Sequence, residues 1–145
     1  MKDRMEQRQR GFTLIEILVV MIIIGMLAAL VGPKAISFLS PAKQKAAKMQ
    51  ITNFETGLDA FRLDVGRYPT TEEGLKALRE KPSGAEKWQG PYFTKEIPLD
   101  PWGKPYVYKS PGDNGEYDII SYGLDGTEGG EKENQDVVNW KDIEK

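Results

Sequence analysis

Apolar and polar positions divide this chain into unlike stretches. Residues 12–32, FTLIEILVVMIIIGMLAALVG, are apolar apart from Thr13, Glu16 and two glycines. In a helix, about 20 residues at about 1.5 Å rise span about 30 Å, the hydrocarbon thickness of a bilayer. An ordinary signal peptide has a shorter apolar core and an A-x-A cleavage site, a pattern that Ala28-Ala29-Leu30 lacks. The run therefore predicts a transmembrane helix over residues 12–32. Before it, MKDRMEQRQR carries Lys2, Arg4, Arg8 and Arg10 against Asp3 and Glu6. A basic flank of this kind stays cytoplasmic, which places the rest of the chain across the membrane.

Beyond the apolar run the period changes. Ala47, Ile51, Phe54, Leu58, Phe61 and Val65 are spaced alternately by four and three, which puts them on one helical face. Lys43, Lys45, Lys48, Asn53, Glu55 and Asp59 mostly fall off that stripe. Residues 33–65 are thus expected to continue the helix in amphipathic form, with the stripe covering a small sheet. A coiled-coil partner is the weaker reading, because the run is only about three heptads long. Gly66 suits a left-handed helix end. Between the two halves, Pro33 follows Gly32, and proline removes a helical hydrogen bond and crowds the preceding turn. Ser40 and Pro41 have the form of an N-cap and a first helical residue. This pattern leaves room for a kink or a melted stretch over residues 32–41.

Residues 66–145 read as a globular domain. Thr70 and Glu73 have capping-box spacing and predict a short helix over about residues 71–79, ended by Pro82-Ser83-Gly84. Asp100-Pro101-Trp102-Gly103 suits a type I turn. Residues 106–109 and 117–121 look like strands, with Pro111-Gly112-Asp113-Asn114-Gly115 as the turn between them. The fold class is therefore α+β: a long N-terminal helix packed on a small antiparallel meander of two or three strands. Trp88, Tyr92, Phe93, Trp102, Tyr106, Tyr108 and Tyr117 either fill the core or form a sugar- or peptide-binding surface, and general burial tendencies favour the core.

Composition narrows the function. A chain of 145 residues has room for one modest domain. Its net charge of −2 gives no basic footprint for nucleic acid. It has no Cys, hence no disulfide framework or thiolate chemistry. It has no His, which removes the commonest general base, the Ser-His triad and most zinc sites. No Gly-x-x-x-x-Gly-Lys-Ser/Thr motif is present to bind nucleotide. Asp100 and Asp118 have no spacing that marks them as an acid–base pair. The expectation is a non-enzymatic chain; a monomeric membrane-tethered binding or hydrolytic domain is the rival reading from another class.

Two places carry candidate chemistry. Glu16 lies near one end of the apolar run. A carboxylate costs about 2.5–3.5 kcal/mol at the centre of a spanning helix, and less near an end. Either it reaches the headgroups or is protonated and has no role, or it waits for a cation from another subunit. The second place is DGTEGGEKENQD, residues 125–136, where acids and glycines alternate in a loop. Calcium takes six to eight oxygens, backbone carbonyls among them. As an EF-hand the loop is poor: Gly130 falls at the sixth position, but Thr127 and Gly129 stand where acidic or amide ligands belong. On chemistry alone, a solvated acidic loop weighs slightly more than a metal site.

Gly11-Phe12-Thr13-Leu14-Ile15-Glu16 resembles the signature of the type IV pilin superfamily. The resemblance implies that a prepilin peptidase removes leader residues 1–11 by cutting between Gly11 and Phe12. It also implies N-methylation of Phe12, retention of the apolar helix, and a role for Glu16 in assembly. Gly66-Arg67-Tyr68-Pro69-Thr70-Thr71-Glu72-Glu73-Gly74-Leu75, Asp100-Pro101-Trp102-Gly103-Lys104-Pro105-Tyr106 and Tyr117-Asp118-Ile119-Ile120-Ser121-Tyr122-Gly123 are similar to the major pseudopilins of type II secretion systems. That branch implies a subunit that polymerises from the inner membrane into a periplasmic filament driving export of folded proteins. Its implied partners are itself, minor pseudopilins, an inner-membrane assembly platform, the peptidase and membrane lipid. An adhesive, motility or DNA-uptake pilin is the alternative. The implied hinge lies over residues 32–41. The branch also implies structural Ca2+ between the Gly-x-Asp-Gly stretch and Asn139-Trp140. Asp125 then gives a carboxylate and Tyr122 and Thr127 give backbone carbonyls. Lys132-Glu133 stands where the family has two aspartates. Glu133 remains a ligand candidate, with Glu131 or Asp136 compensating, and Lys132 weakens affinity by repelling the metal.

Overall fold

The structure, a computed structural model, describes residues 11–143, with the side chains of residues 31–39 excepted. The expected leader lies outside the described residues except for Gly11. The chain divides into two units, the first ending at Phe38 and the second beginning at Leu39. Helix α1, Leu14–Val65, contributes to both.

The backbone of α1 is helical through Pro33 and Pro41. This corrects the placing of a helix start at Ser40-Pro41: both are interior residues, and Ser40 is buried. Each proline withdraws one N–H from the helix, a loss that a helix of 52 residues absorbs without ending. In the first unit, every residue from Leu14 to Leu30 is exposed. Leu14 is 87% exposed and Met26 69%, and large apolar side chains project on all sides. The membrane span expected over residues 12–32 includes residues 31 and 32, whose side chains are outside the described set. Among the described residues no helix is long and apolar enough to cross a membrane.

In the second unit the amphipathic stripe closes a core. Ala47, Ile51, Phe54, Leu58 and Phe61 are fully buried, and Val65 packs at the margin. The helix stops where the stripe stops: Gly66 takes φ +86° and its N–H donates to Arg62 O at 2.8 Å, the left-handed ending that glycine allows. Gly57 is the one glycine in this face. A Cβ there would stand 3.2 Å from Leu78 Cδ1, so its small size lets Leu78 seat against the helix.

The Thr70–Glu73 capping box forms: Glu73 N–H donates to Thr70 Oγ1 at 3.2 Å, and Thr70 N–H to Glu73 Oε2 at 2.8 Å. The helix expected after it does not. Gly74 has φ +60°, which no continuing α-helix tolerates, and only a 3-10 turn, Leu75–Leu78, follows. Leu75, Ala77 and Leu78 are nevertheless buried on α1's stripe side of the domain.

Strands β1 (Val107–Lys109), β2 (Asp118–Ser121) and β3 (Val137–Val138) form an antiparallel sheet in that order, so β2 is central. Tyr108 pairs with Ile119, and Ile120 with Val138. Tyr108 and Ile119 turn to the core while Val107 and Lys109 face out, the alternation of a half-buried strand. The aromatics are core: Phe54 lies 5.2 Å from Tyr106 and 5.4 Å from Phe93 between ring centroids. Trp88 donates its indole N–H to Ala77 O, and Tyr108 its hydroxyl to Pro69 O, so their polar tips are satisfied inside.

Candidate functional site

At the N-terminal end, residues 11–13 are non-helical and exposed, and α1 begins directly after them. The Gly11–Phe12 bond thus lies in open chain, the conformation a peptidase requires. Phe12 is 82% exposed. A Cβ on Gly11 would meet nothing within 4 Å, so the structure itself does not call for glycine there.

Thr13 and Glu16 make a reciprocal cap that the sequence reading passed over. Glu16 N–H donates to Thr13 Oγ1 at 3.3 Å, and Thr13 N–H and hydroxyl donate to Glu16 Oε2 at 3.0 and 3.1 Å. The signal was legible as Thr-x-x-Glu before an apolar run. Glu16 therefore has a local partner at the helix start, with both of Thr13's donors on its Oε2.

The C-terminal loop is built on backbone turns. Tyr122 O accepts Gly126 N–H at 3.1 Å, and Asp125 Oδ1 accepts Thr127 N–H at 3.1 Å. Glu133 enters through its backbone, its carbonyl accepting Leu124 N–H at 2.9 Å. Gly123 is required at this crossing: its φ is +61°, and a Cβ would stand 2.9 Å from Glu133 O. Asp136 reaches back into the loop, where Oδ2 accepts Gly129 N–H at 2.8 Å. Its Oδ1 is buried with no hydrogen-bond partner.

That orphaned oxygen sets the electrostatics. Burial pushes the Asp136 carboxyl above its usual range; Gly129 N–H pulls it down, and Glu128 and Asp125 push it up again. A buried anionic oxygen without a donor, facing further anions, is costly unless protonated or met by a cation. A cleft of about 260 Å³ opens beside it, lined also by Gly129, Gly130 and Trp140. Of the six ligand candidates, the structure thus brings Asp125 and Asp136 into one electrostatic neighbourhood and sets Tyr122 and Thr127 on the same turn. Glu133 is placed by its main chain, and Glu131 by its carbonyl, which accepts Asn134 N–H at 3.0 Å. Among the described residues no three acidic side chains converge on a point that would hold a metal ion. An oxygen short of a donor is chemically suited to a hard cation, but Asp136 Oδ1 is closed off as the loop stands, and a cage of side-chain carboxylates is not what the loop offers.

Three further residues, missed in the sequence, hold this loop. Lys104 Nζ donates to Leu124 O at 2.5 Å and to Gly123 O at 3.3 Å. Lys48 Nζ donates to Val138 O and Lys141 O at 2.7 and 2.6 Å. Gln44 Nε2 donates to Lys132 O. These contacts join residues far apart in sequence to carbonyls, which carry no side-chain signature.

Residues 34–140 match the family described as Type II secretion system (T2SS), protein G, and residues 7–32 match the prokaryotic N-terminal methylation motif. The chain is 46% identical to type II secretion system core protein G of Pseudomonas aeruginosa, over 94% of this chain and 99% of that one. It is 43% identical to the protein of the same name from Vibrio cholerae, over 92% and 93% of the two chains. The crystal structure of the major pseudopilin from the type 2 secretion system of enterohaemorrhagic Escherichia coli is similar with a TM-score of 0.60 and 36% identity, covering 77% of this chain and 93% of that one.

Proposed function

Since the chain belongs to the type II secretion system protein G family, we propose that it is the major structural subunit of a pseudopilus, which polymerises to drive folded proteins out across the outer membrane. One observation carries the mechanism. An apolar rod exposed on every face is attached to a domain whose own core is already closed. A helix apolar all round needs lipid or other apolar helices about it. Transfer from bilayer to a bundle of like helices satisfies it in both states, because packing and interhelical contacts replace lipid contacts.

The chain is membrane-associated or periplasmic, and structural rather than catalytic. More specifically, residues 12–32 cross the inner membrane once, with residues 1–11 cytoplasmic and the domain periplasmic. Support comes from the basic leader and the apolar run. The peptidase cuts the open Gly11–Phe12 bond, and Phe12 is N-methylated. The new α-amino group, with an ordinary pKa of about 7.7–8.0, is a cation at membrane level. Glu16 of a neighbouring subunit is its natural counter-charge, strengthened by the low dielectric. Assembly involves further copies, minor pseudopilins and an inner-membrane platform.

The same reading includes structural Ca2+ at the C-terminal loop. Asp125 and Asp136 would supply carboxylate oxygens and Tyr122 and Thr127 backbone carbonyls, with Glu133 and Glu131 as the remaining candidates. A bound calcium ion supplies charge neutralisation to a carboxylate oxygen that otherwise has no partner. What this chain contributes is Gly129 N–H, which orients Asp136, and the Asp125 turn, which holds the loop's shape.

Intact mass of the protein extracted from membranes tests the processing. Loss of residues 1–11 with a gain of one methyl group is expected. A mature chain starting downstream of the apolar run would overturn the filament reading.

A further inference from the structure

Asn114 stands in the loop between β1 and β2, beside a buried acid that it helps to hold. Asp118, 3% exposed at the head of β2, accepts Asp113 N–H on Oδ2 at 2.9 Å and Asn114 N–H at 3.3 Å. The Asn114 side-chain amide adds a third donor, Nδ2 to Oδ2 at 3.0 Å. Lys109, paired with Asp118 across the sheet, gives its ammonium to Asp113 instead, at 2.6 and 2.7 Å. The buried carboxylate thus depends on amide donors, and Asn114 supplies two of these three.

The two glycines of this loop differ in what the fold asks of them. Gly112 is demanded by packing, since a Cβ there would stand 2.6 Å from Asp118 Oδ1. Gly115 is not. Its φ lies outside the left-handed region, and a Cβ would meet only Tyr117 O, at an ordinary 3.8 Å. Among the described residues its N–H makes no hydrogen bond, and Asn114 and Gly115 are both exposed. Of the chain's four asparagines only Asn114 precedes glycine; Asn53, Asn134 and Asn139 precede Phe54, Gln135 and Trp140. Without a Cβ, the backbone is free to bring the Gly115 nitrogen onto the side chain before it.

We propose that Asn114 is a self-modification site: it deamidates in the folded protein, and the product unlocks the clasp on Asp118. The Gly115 nitrogen bonds to Asn114 Cγ, the Cγ–Nδ2 bond breaks, and Nδ2 leaves as ammonia with the proton that Gly115 gives up. Solvent water then opens the cyclic imide. Opening at Cγ gives aspartate, and opening at the main-chain carbonyl gives isoaspartate. Either way a carboxylate replaces the amide that stood 3.0 Å from Asp118 Oδ2, so a donor becomes a like charge that repels. The change follows the age of the subunit and does not depend on what the subunit assembles into.

The full chain in detergent micelles, held at physiological temperature and neutral pH and sampled over weeks, tests this by peptide mapping in a mass spectrometer. A gain of one mass unit should accumulate at Asn114 about 10-fold or more faster than at Asn53, Asn134 or Asn139, with aspartate and isoaspartate peptides both present. Gly115→Ala should slow the gain by about 10-fold or more and leave the melting temperature unchanged, because the loop has room for the methyl group. Asn114→Asp, which carries the product's charge from the start, should melt below wild type and exchange its Asp113 amide about 3-fold or more faster. Three results would overturn the proposal: no gain at Asn114 unless the chain is first unfolded in urea, a gain that Gly115→Ala does not slow, or an Asn114→Asp variant with wild-type melting and exchange.

Discussion

Ser121 Oγ donates a 2.6 Å hydrogen bond to Asp100 Oδ2, with both residues buried. The other carboxylate oxygen of Asp100 accepts the N–H groups of Trp102 and Lys104 at 3.0 and 2.8 Å. One side chain thus shapes the 100–104 turn and ties it to the central strand. Ser121→Ala leaves a buried carboxylate oxygen without its donor and should cost about 1–3 kcal/mol. Asp100→Ala strands three donors and should cost about 3 kcal/mol or more. Urea denaturation followed by tryptophan fluorescence measures both. Neutral effects would mean that water serves the turn equally well.

Phe54 is the centre of the core, fully buried between Phe93 and Tyr106. Phe54→Ala should lower stability by about 3–5 kcal/mol. On the same helix, Leu63 is 85% exposed, and Leu63→Ala should change the stability of the monomer by no more than about 0.5 kcal/mol. Equal losses in thermal melts would contradict the facing of α1.

The Arg67 guanidinium holds the Glu73 carboxyl below its ordinary range through bonds of 2.6 and 2.8 Å, with Thr70 N–H adding to it against the opposing effect of burial. A depressed acid contributes stability above its unfolded pKa and loses it as pH falls through the folded one. The loss should begin near the ordinary value of about 4.3 and continue below it. Melting temperatures of wild type and Glu73→Gln should therefore converge on acidification. Parallel curves would remove the ion pair from the acid response.

Asp136 has the opposite sign. Its raised carboxyl binds its proton more tightly when folded, so the stability linked to that proton is present at low pH and lost as pH rises through the folded pKa. Metal-free at neutral pH, Asp136→Asn should melt at or above the wild-type temperature, because it removes an uncompensated charge. Wild type should gain melting temperature in millimolar Ca2+ and the variant should not. A wild type indifferent to calcium ends the metal proposal.

Glu16→Gln keeps an acceptor for Thr13 and removes the charge. Membrane insertion and helix content should be retained, while filaments fail to form. Normal filaments from the variant would leave the carboxylate with the helix cap as its whole role.

Much of this was legible from residue pattern. The four-three stripe from Ala47 to Phe61 is buried as spaced, because a helix on a sheet offers one face and periodicity records it directly. The Asp100–Gly103 turn closes as its composition indicates, with Gly103 N–H on Asp100 O at 2.9 Å. The helix after Thr70 was over-read: the capping box is genuine, but Gly74 reverses the backbone one residue later. β3 is two residues long, too short to show an alternation. Of the calcium candidates, Asp136 is the one that the fold singles out, because an unpartnered oxygen is a property of packing. Lys104 and Lys48 were illegible, since main-chain carbonyls look alike in every sequence.

The order of strands has a consequence for biogenesis. The central strand is complete only when Val137 and Val138 arrive, and Asn139 then adds its own clasp, its side chain accepting Ile119 N–H and donating to Tyr117 O. All three follow β2 in the chain, so they leave the ribosome after it. The sheet therefore cannot close until synthesis has passed Asn139, and a truncation before Val137 would leave Ile120 and Ser121 without their β3 partners.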